Sequence, residues 1–161
     1  MRSEWEVNLA IEKYANMITR ICFLYLKNEA DTQDVFQCVF LKYIKYQKSF
    51  ESEEHEKAWF IRVSINTCKD VLKSFFNSHT VSLDEVEHNF FTTPPKHPEV
   101  LEAVLSLPEN YRTVIYLYYY EGYKEVEIAE ILMKKVNTIY TWMYQAKRLL
   151  KKKLGGELDE F

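Results

Sequence analysis

Residues 121–154 read EGYKEVEIAEILMKKVNTIYTWMYQAKRLLKKKL. Two helical patterns meet in this stretch across a few residues. In the first, Val126, Ile128, Ile131 and Leu132 supply an apolar face. In the second, Ile139, Met143, Ala146, Leu149 and Leu150 recur at the period of a helix with one buried side. Asn137 or Thr138 is expected to cap that second helix, because a side-chain oxygen there can accept an unpaired amide proton. A compact helix, a tight turn and a second helix form the arrangement that sets one helix in a DNA major groove. Seven Lys or Arg residues and no Asp or Glu lie between Lys134 and Leu154, a local anion-binding surface. The same pattern also fits an ordinary helical core whose Lys-rich last turns complement the helix dipole. The rest of the chain has to decide.

The totals narrow the choice. At 161 residues the chain can form one medium domain or two small ones. With only 3 Gly and 4 Pro, helices can run almost everywhere. A formal charge of −3 excludes wholesale electrostatic attachment to nucleic acid, so any such binding must come from local patches. The acidic start MRSEWEVN carries no secretory pattern, and the longest strongly apolar run, Val114 to Tyr120, is far too short for a bilayer. No membrane insertion is expected. Three unclustered cysteines, Cys22, Cys38 and Cys68, fit reduced thiols in a cytoplasm better than a disulfide framework.

Taken in order, residues 9–27 place Ile11, Tyr14, Ala15, Ile18, Ile21, Cys22 and Tyr25 on one helical face. Asp31 is expected to cap a second helix whose stripe is Val35, Phe36, Val39, Phe40, Tyr43 and Ile44. A polar loop around Phe50 follows, then a third helix over about 54–76, with Ala58, Ile61, Ile65, Cys68 and Leu72 as its buried seam. Three such helices make a small bundle. Residues 77–98 hold three of the four prolines and no sustained period, so they read as a linker. A second helical domain begins near Glu99, with Pro108 expected at a first helical position. The run VIYLYYY has strand composition, yet Tyr111, Val114, Ile115 and Tyr118 keep helical spacing, and Gly122 suits a left-handed cap. The expected fold is therefore all-α: an N-terminal domain (1–78), a linker (79–97), a C-terminal helix-turn-helix domain (98–155) and an acidic tail (156–161).

Three segments in this order resemble a bacterial RNA polymerase sigma factor of the sigma-70 family, extracytoplasmic-function type. YLKNEADTQDVFQCVFLKY is similar to the family's polymerase-binding helix, usually written D-x-x-D-x-x-Q-E-x-F. FESEEHEKAWFIRVSINTCKDVLKS is similar to the loop and helix that read and open the −10 promoter element. LPENYRTVIYLYYYEGYKEVEIAEIL with the Lys-rich helix after it is similar to the domain that reads the −35 element. The resemblance implies that Asp34 and Gln37, with Cys38 beside them, meet the coiled coil of the polymerase's largest subunit. It implies that the loop from Ser49 through Phe50 and Ser52 to Glu53 captures an unstacked −10 base, with Phe50 as a core plug the competing role. Arg62, Asn66, Lys69 and Lys73, expected opposite the buried seam, would contact −10 DNA. Trp59, adjacent to that seam, reads as core. Thr138, Thr141, Gln145 and Arg148, with Tyr140, Tyr144 and Lys147 beside them and Trp142 near, would approach the −35 groove, Gln and Arg being well shaped for bidentate base contacts. An anti-sigma factor is an implied further partner. No cofactor or metal is implied, and no catalytic residues.

The sequence also departs from the family. Cys38 replaces a customary glutamate, Tyr140, Trp142 and Gln145 stand where Lys or Arg is common, and Met133 replaces a turn glycine, which strains the turn if its φ is positive. Fewer cations mean weaker binding to free duplex and a shallower salt dependence. Two readings stay open: a subunit that binds core polymerase and directs promoter-specific initiation, and a diverged polymerase-binding or sequestering module without promoter reading. An enzyme has little support, since Glu85-x-x-His88 is only half of a di-metal motif.

Overall fold

A computed structural model of the chain describes residues 1–74 and 98–155. Every regular element among them is helical, and they divide into two units. No helix among the described residues is long and apolar enough to cross a membrane. The expected linker, with Phe90, Phe91 and the Glu85/His88 pair, lies outside the described residues, as does the acidic tail.

The first unit holds α1 (Glu4–Leu26), α2 (Glu29–Lys45) and α3 (Glu53–Ser74). Helix α1 starts five residues earlier than periodicity alone suggests. Ser3 caps it by accepting the Glu6 amide proton at 3.2 Å, while Glu6 Oε1 accepts the Ser3 amide proton at 3.4 Å, a reciprocal capping box. Those Ser3 contacts, ahead of Arg2, hold the Glu6 carboxyl below its usual range. Lys27 ends α1 in the left-handed region at φ 58. Helix α2 is capped by Asn28, not by the expected Asp31: Asn28 Oδ1 accepts the Asp31 amide proton at 2.8 Å, and Asn28 Nδ2 donates to Asp31 Oδ2 at 2.8 Å. Both are cap-type residues, and the one at the break in the chain takes the role.

Helix α3 packs on both α1 and α2. Its buried side is much wider than the expected seam. Ile61, Ile65 and Cys68 are buried, but so are Trp59, Phe60, Ser64 and Thr67, while Ala58 and Leu72 are only half-buried. Phe60 is fully enclosed, its ring near those of Tyr14, Phe40 and Tyr43. One carboxylate on α3 joins the three helices: Glu56 accepts from the Tyr14 hydroxyl of α1 at 3.1 Å and the Tyr43 hydroxyl of α2 at 2.9 Å. Lys42 Nζ adds a second α2–α3 link by donating to Thr67 Oγ1 at 2.9 Å.

The second unit holds α4 (Pro98–Leu105), α5 (Glu109–Ile115), a π-helical turn (Tyr116–Tyr120), α6 (Glu125–Leu132) and α7 (Val136–Lys153). Pro108 is the residue before α5 rather than its first, with extended ψ of 149. The tyrosine run is helical, as its spacing predicts, but wider than an α-turn: the Glu121 amide donates to the Tyr116 carbonyl at 3.2 Å. Gly122 then takes φ 80, and the Tyr123 amide reaches back to the Leu117 carbonyl at 3.0 Å. Arg112, buried in α5, donates to the Leu105 carbonyl at 3.3 Å and ties α5 to the end of α4. Between α6 and α7, Met133 sits at φ 57, ψ 47, and the Lys134 amide closes the turn on the Ala129 carbonyl at 2.9 Å. The turn is thus made in the left-handed conformation by a residue with a Cβ. Helix α7 begins after Lys135 with no side-chain cap, correcting the expectation for Asn137 or Thr138, which lie inside the helix.

Two outcomes follow from these contacts. Burial first, and Glu56 second, raise the Tyr14 and Tyr43 phenols above the ordinary value of 10, Tyr43 to about 12. A raised folded-state pKa means the unfolded chain releases these protons first, so the first unit keeps its stability below pH 10 and loses it as pH climbs toward 12. Thermal melts of wild type and Tyr43→Phe over that range should converge, the variant being the flatter with pH. In the second unit, Met133 is 76% exposed and loses little contact if shortened. Met133→Gly should stabilise the unit by about 1 kcal/mol by removing the left-handed penalty, read from denaturant unfolding.

Candidate polymerase and nucleic-acid interfaces

Three surfaces carry the residues singled out from the sequence. On α2, Asp34, Gln37 and Cys38 are all exposed, while Val35 and Val39 on the other side of the helix are fully buried. The split follows from the apolar stripe, which turns this polar face outward. Leu41, one turn further on, is also exposed and extends the face with an apolar side chain that the sequence reading did not single out. Exposed Leu at helical spacing from a polar set is the signal that would have found it.

The second surface is the loop between α2 and α3 with the open side of α3. Ser49 is exposed. Ser52 instead caps α3: its Oγ accepts the His55 amide proton at 3.1 Å, and His55 Nδ1 accepts the Glu51 amide proton at 3.2 Å. The Ser52 half of a capping box is present, while the histidine ring reaches one residue further back, to the amide ahead of the cap. Phe50 is half-buried among aromatic rings. It stacks on Tyr46 at 5.4 Å and 19°, lies 5.8 Å from Trp59 and meets the His55 ring edge-on at 5.3 Å. Trp59 is itself core, as expected, at 9% exposure. Of the three loop residues, then, Phe50 and Ser52 both have structural work, and Ser49 alone stands clear.

Arg62, Asn66, Lys69 and Lys73 do share one side of α3, the side that its buried residues leave open. Because Phe60, Ser64 and Thr67 are also buried, the four occupy the narrow strip left open, where Asn66 and Lys73 are exposed and Arg62 and Lys69 half-buried. Asp70 lies on the same strip and reduces its positive charge.

The third surface is the outer side of α7. Ile139, Met143, Ala146 and Leu150 are buried, at steps that keep one seam inward against α5 and α6. Thr141 and Arg148 are exposed on the far side, with Thr138 and Gln145 half-buried beside them. The Thr141 hydroxyl donates to the Asn137 carbonyl at 3.0 Å, so it faces any partner as an acceptor. Tyr140 and Tyr144 are 47% and 65% exposed on an adjoining stripe. Lys147 belongs to that stripe, with its ammonium 5.6 Å from the Tyr118 ring and 5.8 Å from the Tyr119 ring. It is held toward the π-helical turn rather than toward Arg148. Trp142 is half-buried on the other flank. Lys134, Lys135, Arg148, Lys151, Lys152 and Lys153 are exposed, and no acid interrupts them from Lys134 to Leu154. Among the described residues no cluster of three or more His, Cys, Asp or Glu side chains is placed to hold a metal.

These surfaces fall within two matched regions. The family model for Sigma-70 region 2 matches residues 10–74, and that for Sigma-70 region 4 matches residues 97–150. The RNA polymerase sigma factor SigV of Bacillus subtilis is 30% identical over 142 residues, covering 86% of this chain and 84% of that protein. The ECF RNA polymerase sigma-E factor of Haemophilus influenzae is 24% identical over 165 residues, covering 91% and 86%. Among solved structures, a chain from the co-crystal structure of the sigma factor RpoE in complex with the anti-sigma factor NepR from Bartonella quintana shares the fold. Its TM-score is 0.74 at 17% identity, over 95% of this chain and 99% of that one. The exposed cationic helix, the three-helix unit before it and both regional matches lead to one identification: the chain belongs to the sigma-70 family, as a non-catalytic sigma factor of the extracytoplasmic-function type that directs RNA polymerase to promoter-specific transcription initiation.

Proposed function

We propose that the two units divide initiation between them. Residues 1–78 form the part that docks on core polymerase and reads the −10 element, residues 98–155 the part that reads the −35 element, and residues 79–97 the connection. Asp34, Gln37 and Cys38 meet the coiled coil of the polymerase's largest subunit, the first two by polar contacts with basic side chains and Cys38 by a neutral one. Ser49, with Phe50 behind it as a wall, receives an unstacked −10 base. Asn66 and Lys73, flanked by Arg62 and Lys69, follow the adjoining backbone. Such capture needs hydrogen-bond donors beside an aromatic surface, and the loop offers both.

The observation that carries this reading is the outer face of α7. Its buried seam points inward, so Thr141, Gln145 and Arg148 are presented together on a helix that is free of acids and cationic from Lys147 to Lys153. A helix so presented fits a major groove, with Arg and Gln reading base edges and the lysines contacting phosphates. Tyr140 and Tyr144 add apolar contact where charge is missing. The factor works in the cytoplasm with the polymerase. An anti-sigma factor that covers these surfaces completes the scheme, supported by the complex in which the similar solved fold is held.

Run-off transcription with core polymerase on genomic fragments, followed by start-site mapping, tests the scheme. Start sites should share two sequence blocks upstream. Tight polymerase binding with no initiation on any fragment would instead establish a sequestering module. Gln145→Ala and Arg148→Ala should each weaken initiation at −35-dependent promoters by about 1–3 kcal/mol, some tenfold to hundredfold, without changing affinity for core polymerase. Asp34→Lys should do the reverse, weakening core binding in a direct titration and leaving discrimination among promoters intact once saturated.

A further inference from the structure

Arg2 lies far from every residue assigned above in sequence, yet it reaches the loop between α2 and α3. Its side chain is only 12% exposed. The backbone amide donates to the Ile44 carbonyl at 3.3 Å, and Nε donates to the Tyr43 carbonyl at 3.1 Å. Both carbonyls belong to the last turn of α2, where a cation is favoured, and that of Tyr43 also accepts the Tyr46 amide proton at 3.2 Å. One terminal nitrogen, Nη2, donates to the Lys48 carbonyl at 2.8 Å, inside the loop. The other, Nη1, pairs with Glu6 Oε2 at 3.2 Å. The guanidinium plane meanwhile lies 4.4 Å from the Tyr43 ring centroid and 5.0 Å from that of Phe50. One side chain thus holds the end of a helix, the backbone of the loop and the aromatic wall of the loop together. Only the planar fork of arginine serves all these directions at once.

We propose that Arg2 is a positioning residue for −10 recognition: it fixes the 46–50 backbone so that Ser49 is presented beside Phe50 in one geometry. The proposal rests on the reading of that loop as the −10 base receptor. Arg2 itself touches no DNA in this scheme. A capture site on a short loop works only if its backbone is preset, because ordering it on binding would consume affinity without adding discrimination.

The test uses the full chain with core polymerase, on a promoter from the start-site map and on versions with each −10 base changed singly. Arg2→Ala should lower the ratio of initiation between the native and altered −10 elements by about tenfold, the scale of one charge-assisted hydrogen bond misplaced. It should leave discrimination at the −35 element unchanged. Arg2→Lys, which keeps charge but not the fork, should recover part of the ratio. In the free protein, amide exchange at Tyr46 and Glu51 should accelerate in Arg2→Ala while the amides of central α1 and α3 keep their protection. Ser49→Ala separates the two ideas. If Ser49→Ala alters −10 discrimination and Arg2→Ala does not, the positioning role is overturned. If Ser49→Ala changes nothing, the loop reading falls, and the role proposed for Arg2 falls with it, even where Arg2 proves to order the backbone. Should Arg2→Ala unfold the unit, the same ratio measured for Arg2→Lys decides, an unchanged value overturning the proposal.

Discussion

Enclosure of α3 is the constraint on which the first unit rests. A helix packed against two neighbours must bury most of its circumference, and here that includes polar groups that need partners. Glu56 shows how the requirement is met. Placed near the start of α3, it accepts phenol protons from α1 and α2 together, so the three helices share one hydrogen-bonded junction beside an aromatic core. The Ser52–His55 cap just before it fixes where α3 begins. What remains of the helix surface is a single strip, and any contact with DNA from α3 has to be made there.

The second unit solves a different problem, which is to hold a cationic helix outward on a small core. The buried row Ile139, Met143, Ala146 and Leu150 anchors α7, and Arg112 braces the elements behind it. Lys147 turns toward the tyrosine run, its ammonium 5.6 Å from the Tyr118 ring and 5.8 Å from that of Tyr119.

Much of this was legible in the sequence, and the failures have a pattern. Helices with a strong apolar period were found, including the tyrosine-rich one, because spacing between Pro108 and Gly122 outweighed strand composition. At Met133 the sequence left open whether φ is positive, and the structure puts it at 57. Starts were less legible. Asn28 and Asp31 are equally good caps by residue type, and Lys135 opens α7 with no side-chain bond at all. Periodicity also underestimates burial when a helix has two neighbours, because serine and threonine enter the buried set; hence Ser64 and Thr67 were overlooked. Phe50 was left between two roles, and the ring contacts show a packed side chain beside an exposed Ser49. Arg2 showed locally only its pairing with Glu6, since its partners around the loop are more than forty positions away.

The widened turn at Tyr116–Tyr120 bears on how this fold tolerates changes in chain length. It contains one residue beyond what tighter helical bonding would use, bounded by a regular helix before it and the pivot at Gly122 after it. Loss of a single tyrosine can be absorbed there by reverting to ordinary helical bonding, with both ends left near their anchor points. An equal deletion within α6 or α7 would rotate every later side chain by about 100° and turn the apolar seam toward water. The segment is therefore where the second unit can lose a residue without turning α7 on its core.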